Sequence, residues 1–160
     1  MTALAMLALI PLTNGGDALV DAADATRVST RRWFRDRYGY IVSTTRVRRN
    51  DGRRITLHRF LLEPPDGLDV DHRNHDRSDN RRANLRVATR SQNIGNARRH
   101  RDSRSPFKGV TWRKDVSRWT ARIMVQGKEH HLGCFDAPEK AAAAYAHAAD
   151  RLRGEFACVE

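Results

Sequence analysis

The sequence predicts an α+β protein built from small antiparallel sheets and short helices. Segments in which apolar and polar residues alternate strictly, typical of half-buried strands, recur along the 160 residues. Helix-start signals lie between some of these segments, and an alanine-rich helical pattern follows the last three strands. Strands and helices that follow one another without regular βαβ alternation are typical of the α+β class.

The amino-terminal part predicts a small β-rich segment. Its Asn-Gly-Gly turn favours positive φ and joins two short apolar strands. The apolar start lacks a basic n-region and is interrupted by Pro11, so we expect no signal peptide, and it is too short to span a bilayer. The predicted elements are strands over 9–12, 18–20, 33–34 and 38–43, a turn over 13–16 and a short helix that Asp21 caps and that ends at Val28.

Residues 68–99 predict a strand, a polar loop, a second strand and a helix. The strands cover 68–72 and 85–89, the loop covers 73–82, and the helix covers 92–99 with Ser91 as its N-cap. Adjacent residues on a strand point to opposite faces, so one of the side chains of Asp71 and His72 can face a metal ion while the other faces the attacking water.

Four polar residues in this stretch have the chemistry needed to hydrolyse a phosphodiester bond. Imidazole, with an unperturbed pKa near ~6.5, suits a base that takes the proton of water. Carboxylate and carboxamide oxygens suit Mg²⁺, which keeps several waters. The four residues are Asp71, His72, Asn84 and Asn93.

These residues and their spacing, twelve from His72 to Asn84 and nine from Asn84 to Asn93, resemble the HNH nuclease family. The similarity is to the variant of phages and mobile elements that ends in Ser-Gln-Asn, as in homing endonucleases. The resemblance implies a ββα-metal core with His72 as general base and Asp71 and Asn93 as ligands of Mg²⁺ or Mn²⁺. It makes Asn84 a catalytic-site residue that braces the loop behind the base.

Three other features leave alternatives open. His75 lies in the polar loop and is either a solvated side chain or a group that helps at the scissile phosphate. His58 begins a predicted short helix, where packing and a phosphate contact are both open. The amino-terminal segment resembles the β-rich segment that precedes this HNH variant, and a role as scaffold alone is equally compatible.

The charge of the chain indicates a nucleic-acid partner. Thirty Lys and Arg against 19 Asp and Glu give a net charge of +11, so much of the affinity for double-stranded DNA should be electrostatic. Residues 1–104 hold 21 Arg, no Lys and 12 acids, whereas 105–160 hold 9 bases and 7 acids. This shift predicts two modules, a nuclease module with a basic linker over 1–104 and a DNA-binding module over 105–160.

Only two cysteines, Cys134 and Cys158, are present, and the sequence has no Cys-x-x-Cys pair. This excludes a zinc-ribbon support and favours a reducing cytoplasm in which both thiols stay free. The HNH resemblance implies that this is the cytoplasm of a phage host or prokaryotic cell.

The second module predicts a three-stranded antiparallel sheet packed on one carboxy-terminal helix. The strands cover 108–113, 119–125 and 128–132, with a tight turn at Gln126-Gly127. Asp136 and Glu139 predict a capping box for a helix that Gly154 ends. Its apolar face is predicted to hold Ala142, Tyr145, Ala149 and Leu152.

This pattern resembles the ethylene-response-factor (Apetala-two) DNA-binding domain, whose sheet enters the major groove. The residues that carry the resemblance are Lys108-Gly109-Val110, Trp119-x-Ala121-x-Ile123, Leu132-Gly133-x-Phe135, Ala141-Ala142-x-x-Tyr145 and Leu152-x-Gly154. Period-2 alternation places Val110, Trp112, Trp119, Ala121, Ile123, His130 and Leu132 toward the helix, and Thr111, Arg113, Thr120, Arg122, Met124, Glu129 and His131 outward.

Among the outward residues, Arg113 and Arg122 are the candidates for base edges, because a guanidinium binds guanine O6 and N7 together. Lys108 and Lys128 are predicted to meet phosphate, and His131 completes the candidate DNA-binding set. A solvated polar face is the alternative interpretation of the two arginines.

The sequence thus predicts a site-directed DNA endonuclease, a monomer or weak dimer that needs no membrane and no small-molecule cofactor. Two other classes stay open: a non-catalytic DNA-binding regulator with a degenerate nuclease module, and an RNA-binding or structural DNA protein. The retained Asp71, His72 and Asn93 argue against the first. The outer sheet face lacks the aromatic platform expected of single-strand readers, which argues against the second.

Overall fold

The computed structural model describes residues 6–46, 52–99 and 105–159, and the chain forms two compact units, Met1–Ala88 and Thr89–Glu160. Each unit combines short helices with small antiparallel sheets, which confirms the predicted α+β class. The boundary between the units lies earlier in the chain than the predicted module boundary at 104/105. Residues 100–104 of the predicted linker lie outside the described residues.

The described residues of the first unit form two hairpins and a three-stranded sheet. The pairs β1–β2 and β6–β7 are antiparallel hairpins, and the sheet has the order β3-β4-β5. Gly15 and Gly16 in the first turn have φ of 95° and 74°, as the Asn-Gly-Gly pattern predicts. The elements are β1 (Leu7–Pro11), β2 (Asp17–Asp21), α1 (Ala22–Ser29), β3 (Phe34–Arg35), β4 (Ile41–Arg46), β5 (Gly52–Thr56), α2 (Leu57–Leu62), β6 (Asp69–His72) and β7 (Leu85–Ala88).

One hydrophobic core joins these elements. Trp33 is 1% exposed, and its indole nitrogen donates a hydrogen bond of 2.8 Å to the Val28 carbonyl at the end of α1. Burial of so large a side chain with its polar atom satisfied is a major contribution to the stability of a small unit. The core residues are Ile10, Leu12, Ala18, Val20, Val28, Trp33, Ile41, Leu57, Leu61, Val70 and Leu85.

The second unit contains the predicted three-stranded antiparallel sheet, in the order β10-β9-β8, with a long helix packed on it. Gly109 has φ of +69°, and a Cβ there would lie 2.3 Å from the Tyr145 ring and 2.6 Å from the Arg122 carbonyl oxygen, so only glycine fits. The elements are α3 (Arg90–Asn96), β8 (Val110–Arg113), β9 (Arg118–Val125), β10 (Lys128–Phe135), α4 (Pro138–Arg153) and a 3₁₀ turn (Gly154–Phe156).

Both predicted helix caps of this unit are wrong. Thr89, not Ser91, caps α3, because the Thr89 hydroxyl accepts from the Gln92 amide while the Gln92 side chain accepts from the Thr89 amide. Ala137 holds the cap position of α4, and Pro138 at the first helical position leaves one fewer orphan N–H group to satisfy. Asp136 instead pairs with Lys140 one turn on, at 2.9 Å.

Three residues of the sheet depart from the predicted burial. Trp112 packs against the Trp119 ring at 5.3 Å but is 46% exposed, because β8 is an edge strand. Thr120, expected outward, is fully buried, because its cross-strand neighbours Thr111 and Cys134 flank it on the central strand. His130, expected toward α4, is exposed near the turn that begins β10.

In the described part of the chain, no helix has the length and apolarity to cross a membrane.

Candidate functional site

The β6–β7 hairpin places Asp71 and His72 side by side in the first unit. The register pairs Asp71 with Arg86 and His72 with Leu85 across the two strands. Asp71 is 7% exposed and His72 is 6% exposed, so both are buried within the hairpin rather than displayed on a free surface. Their groups are therefore held in fixed positions before any substrate arrives, as a catalytic site requires.

Arg86 binds the Asp71 carboxylate in a buried ion pair. Its Nε and Nη2 atoms both donate to Asp71 Oδ2, each at 2.8 Å, and both side chains are less than a tenth exposed. An ion pair so far from solvent fixes the rotamer of the carboxylate. The sequence interpretation gave Arg86 no role, although its place opposite Asp71 in an antiparallel hairpin was the signal that could have found it.

A hydrogen bond that His72 donates to Asn80 determines which nitrogen of the imidazole carries the proton. The Asn80 Nδ2 donates to the Arg77 carbonyl at 3.0 Å, which turns Asn80 Oδ1 toward His72 Nε2 at 3.3 Å. An amide oxygen only accepts, so Nε2 is the protonated nitrogen and Nδ1 has the lone pair. Burial lowers the pKa of His72, although its hydrogen bond to Asn80 and the charge of Asp71 act in the opposite direction. The imidazole is therefore neutral at pH 7 and able to accept a proton.

His58 packs directly against His72. The two ring centroids are 5.1 Å apart with the rings nearly perpendicular at 81°, and His58 Nε2 lies 3.1 Å from Thr56 Oγ1. Burial, followed by the charges of His72, Arg59 and Arg77, lowers the pKa of His58 to about 3. Of the two roles that the sequence left open for His58, this placement favours packing: a neutral ring that contacts His72.

Asn84 contacts the start and the middle of the polar loop that leads from β6 to β7. Its Nδ2 donates to the Asp79 carbonyl at 2.7 Å, and its Oδ1 accepts from the Asn74 amide at 3.1 Å. Asp79 accepts from Asn74 Nδ2 at 2.9 Å and from Arg81 Nε at 2.7 Å, and the Arg81 bonds lower the Asp79 pKa. These contacts tie the loop together behind His72. His75, in the same loop, adopts φ of +63°.

The amino-terminal hairpin also holds this loop. Leu19 of β2 donates to the Ser78 carbonyl at 2.8 Å and accepts from the Asn80 amide at 2.7 Å. Arg82 forms two 2.8 Å hydrogen bonds with the Asp24 carboxylate, and its own amide donates to Asp21. The segment is therefore a scaffold for the residue that orients His72.

The fourth predicted site residue, Asn93, lies in the second unit. It is half-buried on α3, where its amide donates to the Thr89 carbonyl at 3.0 Å. Thus Asp71, His72 and Asn84 are brought together within one unit, and Asn93 is carried by the other.

The outer face of the second unit's sheet holds the candidate DNA-binding residues. By register, Arg113 and Arg122 share a face, and Arg122 lies opposite His131. Arg113 forms two hydrogen bonds with the Asp115 carboxylate, and Arg122 Nη1 lies 3.2 Å from Glu129 Oε1. Lys128 is exposed at the start of β10. Lys108 differs from these, because its ammonium donates to the Gly95 and Ala97 carbonyls at the end of α3.

Comparison with known proteins indicates a nuclease family. A model of the HNH endonuclease family matches residues 63–94. An uncharacterised HNH endonuclease of Acanthamoeba polyphaga mimivirus is 32% identical over 136 residues, which cover 81% of this chain and 67% of the relative. Protein 3.8 of Escherichia phage T7 is 29% identical over 93 residues, 58% of this chain and 76% of that protein.

A plant protein matches in addition. An AP2-like ethylene-responsive transcription factor of Arabidopsis thaliana is 40% identical over 65 residues, which are 40% of this chain and 13% of the factor. No solved structure matches the chain significantly.

The family match covers the β6–β7 hairpin, the polar loop between its strands and the start of α3. The chain belongs to the HNH endonuclease family, so the resemblance drawn from Asp71, His72, Asn84 and Asn93 is confirmed at the level of the family.

Proposed function

We propose that the chain is a DNA endonuclease that hydrolyses phosphodiester bonds with His72 as general base and a divalent cation, Mg²⁺ or Mn²⁺. The observation that carries the proposal is the hydrogen bond between His72 Nε2 and Asn80 Oδ1, at 3.3 Å inside a buried hairpin. It leaves Nδ1 as the proton acceptor on a ring that burial keeps neutral. A neutral, oriented imidazole is what general-base attack by water needs.

The reaction balances with the groups of this chain. Nδ1 of His72 takes a proton from water as the water oxygen attacks phosphorus and the bond from phosphorus to the 3′ oxygen breaks. The 3′ oxygen then takes a proton from solvent, and His72 returns its proton to solvent. Asn84 and Asn80 act by holding the loop and the ring, and His58 excludes water from one side of the ring.

The donor set fits a hard divalent cation. The residues that would hold it are Asp71 and Asn93, one carboxylate and one carboxamide, and oxygen ligands of this kind suit Mg²⁺ and Mn²⁺. Within the described ranges, His, Cys, Asp and Glu form no group of three or more that could hold a metal. When bound, the cation stabilises the charge that develops on the phosphate and on the leaving oxygen.

We further propose that the second unit directs cleavage. Support comes from its 40% identity with the AP2-like factor and from the sheet-on-helix architecture that the Apetala-two resemblance predicts. Arg113 and Arg122 on one exposed sheet face are candidates for guanine edges, and Lys128 and His131 for phosphate and base contacts. Asp115 binds Arg113 through the two donors, Nε and Nη2, that a guanine edge would use, whereas Glu129 contacts Arg122 through Nη1.

A nicking assay tests the proposal. Full-length protein is incubated with supercoiled plasmid and with linear duplex, in Mg²⁺, in Mn²⁺ and in EDTA. We expect metal-dependent cleavage that the variants Asp71→Ala and Asn93→Ala both abolish, while Asp66→Ala, which alters an exposed acid before β6, cleaves normally. DNA binding without cleavage under any metal condition would identify a non-catalytic regulator. A variant with wild-type dependence on metal concentration would show that its residue is not a ligand.

A further inference from the structure

Helix α3, which carries Asn93, depends on the rest of the second unit for its stability. It has only seven residues, and isolated helices of this length are not stable in water. Its first turn is capped by Thr89 and Gln92, but the carbonyl groups of its last turn need donors from elsewhere.

Two cations from different elements supply those donors. Lys108 precedes β8, and its Nζ donates to the Gly95 carbonyl at 2.9 Å and to the Ala97 carbonyl. Arg153 Nη1, in the last turn of α4, also donates to the Gly95 carbonyl, at 3.2 Å. Positive charge at the carboxyl end of a helix is stabilising, so both residues hold α3 by charge as well as by hydrogen bonds.

Arg153 also ties α3 to the body of the unit. Its Nη1 donates to the Tyr145 hydroxyl at 2.9 Å and its Nη2 to the Met124 carbonyl at 2.8 Å. The arginine comes so close to α3 because residue 95 is glycine: a Cβ there would lie 3.1 Å from Arg153 Cδ. At the other end of α3, the Ser91 hydroxyl accepts from the Gln126 amide at 3.0 Å.

Asn93 thus lies between two points of attachment, Ser91 and Gly95, both made to the sheet-and-helix body of the second unit. We propose that Lys108 and Arg153 are positioning residues for Asn93, so that the DNA-binding unit also sets the place of a metal ligand. This inference rests on the proposed function in one respect, the role of Asn93 as ligand. It changes the interpretation of Lys108, which the sequence alone predicts to be a phosphate contact.

The test uses the full chain and the variants Lys108→Met and Arg153→Met, with Lys108→Arg as the conservative rescue. Arg151→Met, an exposed arginine of the same turn of α4, is the matched control. Three quantities are measured: Mn²⁺ binding by electron paramagnetic resonance, amide hydrogen exchange of residues 93–97 without metal, and affinity for labelled duplex in EDTA.

We expect Lys108→Met and Arg153→Met to weaken Mn²⁺ binding by roughly 10- to 100-fold, the usual effect of removing a group that orients a ligand. Exchange of the α3 amides should accelerate, DNA affinity in EDTA should stay unchanged, and Lys108→Arg should restore Mn²⁺ binding. Gly95→Ala should shift Mn²⁺ binding the same way but less, even though alanine raises helix propensity. That result would show that Mn²⁺ binding depends on the position of α3 and not on its intrinsic helix stability. The Gly95→Ala measurement remains informative even if Arg153→Met does not fold.

Two results overturn the inference. Lys108 is a phosphate contact if Lys108→Met weakens DNA binding while Mn²⁺ binding stays normal. The slope of the logarithm of DNA affinity against the logarithm of salt concentration should then fall in magnitude by about one. If Asn93→Ala abolishes Mn²⁺ binding but all the positioning variants bind normally, Asn93 is held by other means. Normal Mn²⁺ binding by Asn93→Ala itself would instead refute the proposed ligand, a failure that is distinguishable from the other two.

Discussion

The β6–β7 hairpin and the outer face of the second unit's sheet both present polar groups, but they hold them differently. Asp71, His72 and Asn84 are less than a tenth exposed, and each has a partner inside the protein. The side chains of Arg113 and Arg122 are more than a third exposed, and their partners are carboxylates that are more than half exposed. Groups that do chemistry must be fixed before the substrate binds, whereas groups that recognise DNA must be able to exchange one partner for another.

The largest effect should come from the buried side of this comparison. We expect His72→Ala to lower the cleavage rate by roughly 10²- to 10⁴-fold, the usual contribution of a general base, with little change in DNA affinity. Single-turnover nicking with excess enzyme measures the rate, and titration of labelled duplex measures the affinity. His147→Ala, an exposed histidine of α4, is the control. A near wild-type rate for His72→Ala would remove His72 from the mechanism.

The next effect concerns the buried ion pair. Arg86→Met should lower the free energy of unfolding by about 3–5 kcal/mol, because it leaves the Asp71 carboxylate buried without its cation. Denaturant unfolding measures the loss. Arg90→Met, which changes an exposed arginine at the start of α3, should have a much smaller effect. Equal stability of both variants would mean that solvent reaches Asp71 readily, contrary to its burial.

This ion pair also shows how far the sequence could predict the site. Alternation predicted the strands that became β6 and β7, and the spacing of Asp71, His72, Asn84 and Asn93 indicated the family. The groups that orient these residues were not predicted. The contact of Asn80 with His72 depends on the conformation of a loop, which residue types alone do not determine.

The missed N-cap has a different cause. Thr89 with Gln92 is a capping-box pattern visible in the sequence. Ser91 is an equally acceptable N-cap residue and directly precedes the predicted first residue, Gln92, so residue type alone does not distinguish the two positions. The long-range pair of Asp24 and Arg82 depends on how separate elements pack, which no local pattern records.

Specific recognition should respond to the exposed side of the comparison. Replacing Arg113 and Arg122 together by alanine should weaken binding to the preferred sequence by roughly five- to 150-fold for each bidentate arginine–guanine pair that the change removes. Weak nicking at low salt should persist, because the arginine-rich first unit still attracts phosphate. Cleavage mapping and duplex titration check this.

The fragment 106–160 should bind duplex DNA without cutting it. If the fragment does not bind and the double arginine variant cleaves in the wild-type pattern, the sheet has no role in targeting.

Burial of His58 makes the stability of the folded protein depend on pH. Its pKa is about 3 in the folded protein and about 6.5 when unfolded, so the unfolded chain takes the proton first as the pH falls. The neutral ring's contribution is fully present above pH 6.5, and stability should fall below it by up to about 1.4 kcal/mol per pH unit toward pH 3. Denaturant unfolding from pH 7 to 4.5 measures this slope. His58→Gln should flatten it relative to wild type, and His147→Gln should not; equal slopes would place His58 in solvent.

The smallest effect tests whether the carboxylates on the sheet face compete with DNA. Asp115 binds Arg113 through the pair of donors that a guanine edge would use, and it adds negative charge to the proposed DNA-binding face. Because exposed ion pairs contribute little to stability, Asp115→Asn should leave the folded state unchanged. DNA affinity should rise by no more than about fivefold, with the gain larger for unrelated duplexes than for the preferred one, since the freed arginine meets phosphate as readily as a base. Glu139→Gln, which removes an exposed acid from α4, is the charge-matched control. Parallel titrations of the two variants separate release of Arg113 from net charge, and an equal gain in both would show that Asp115 acts only through its charge.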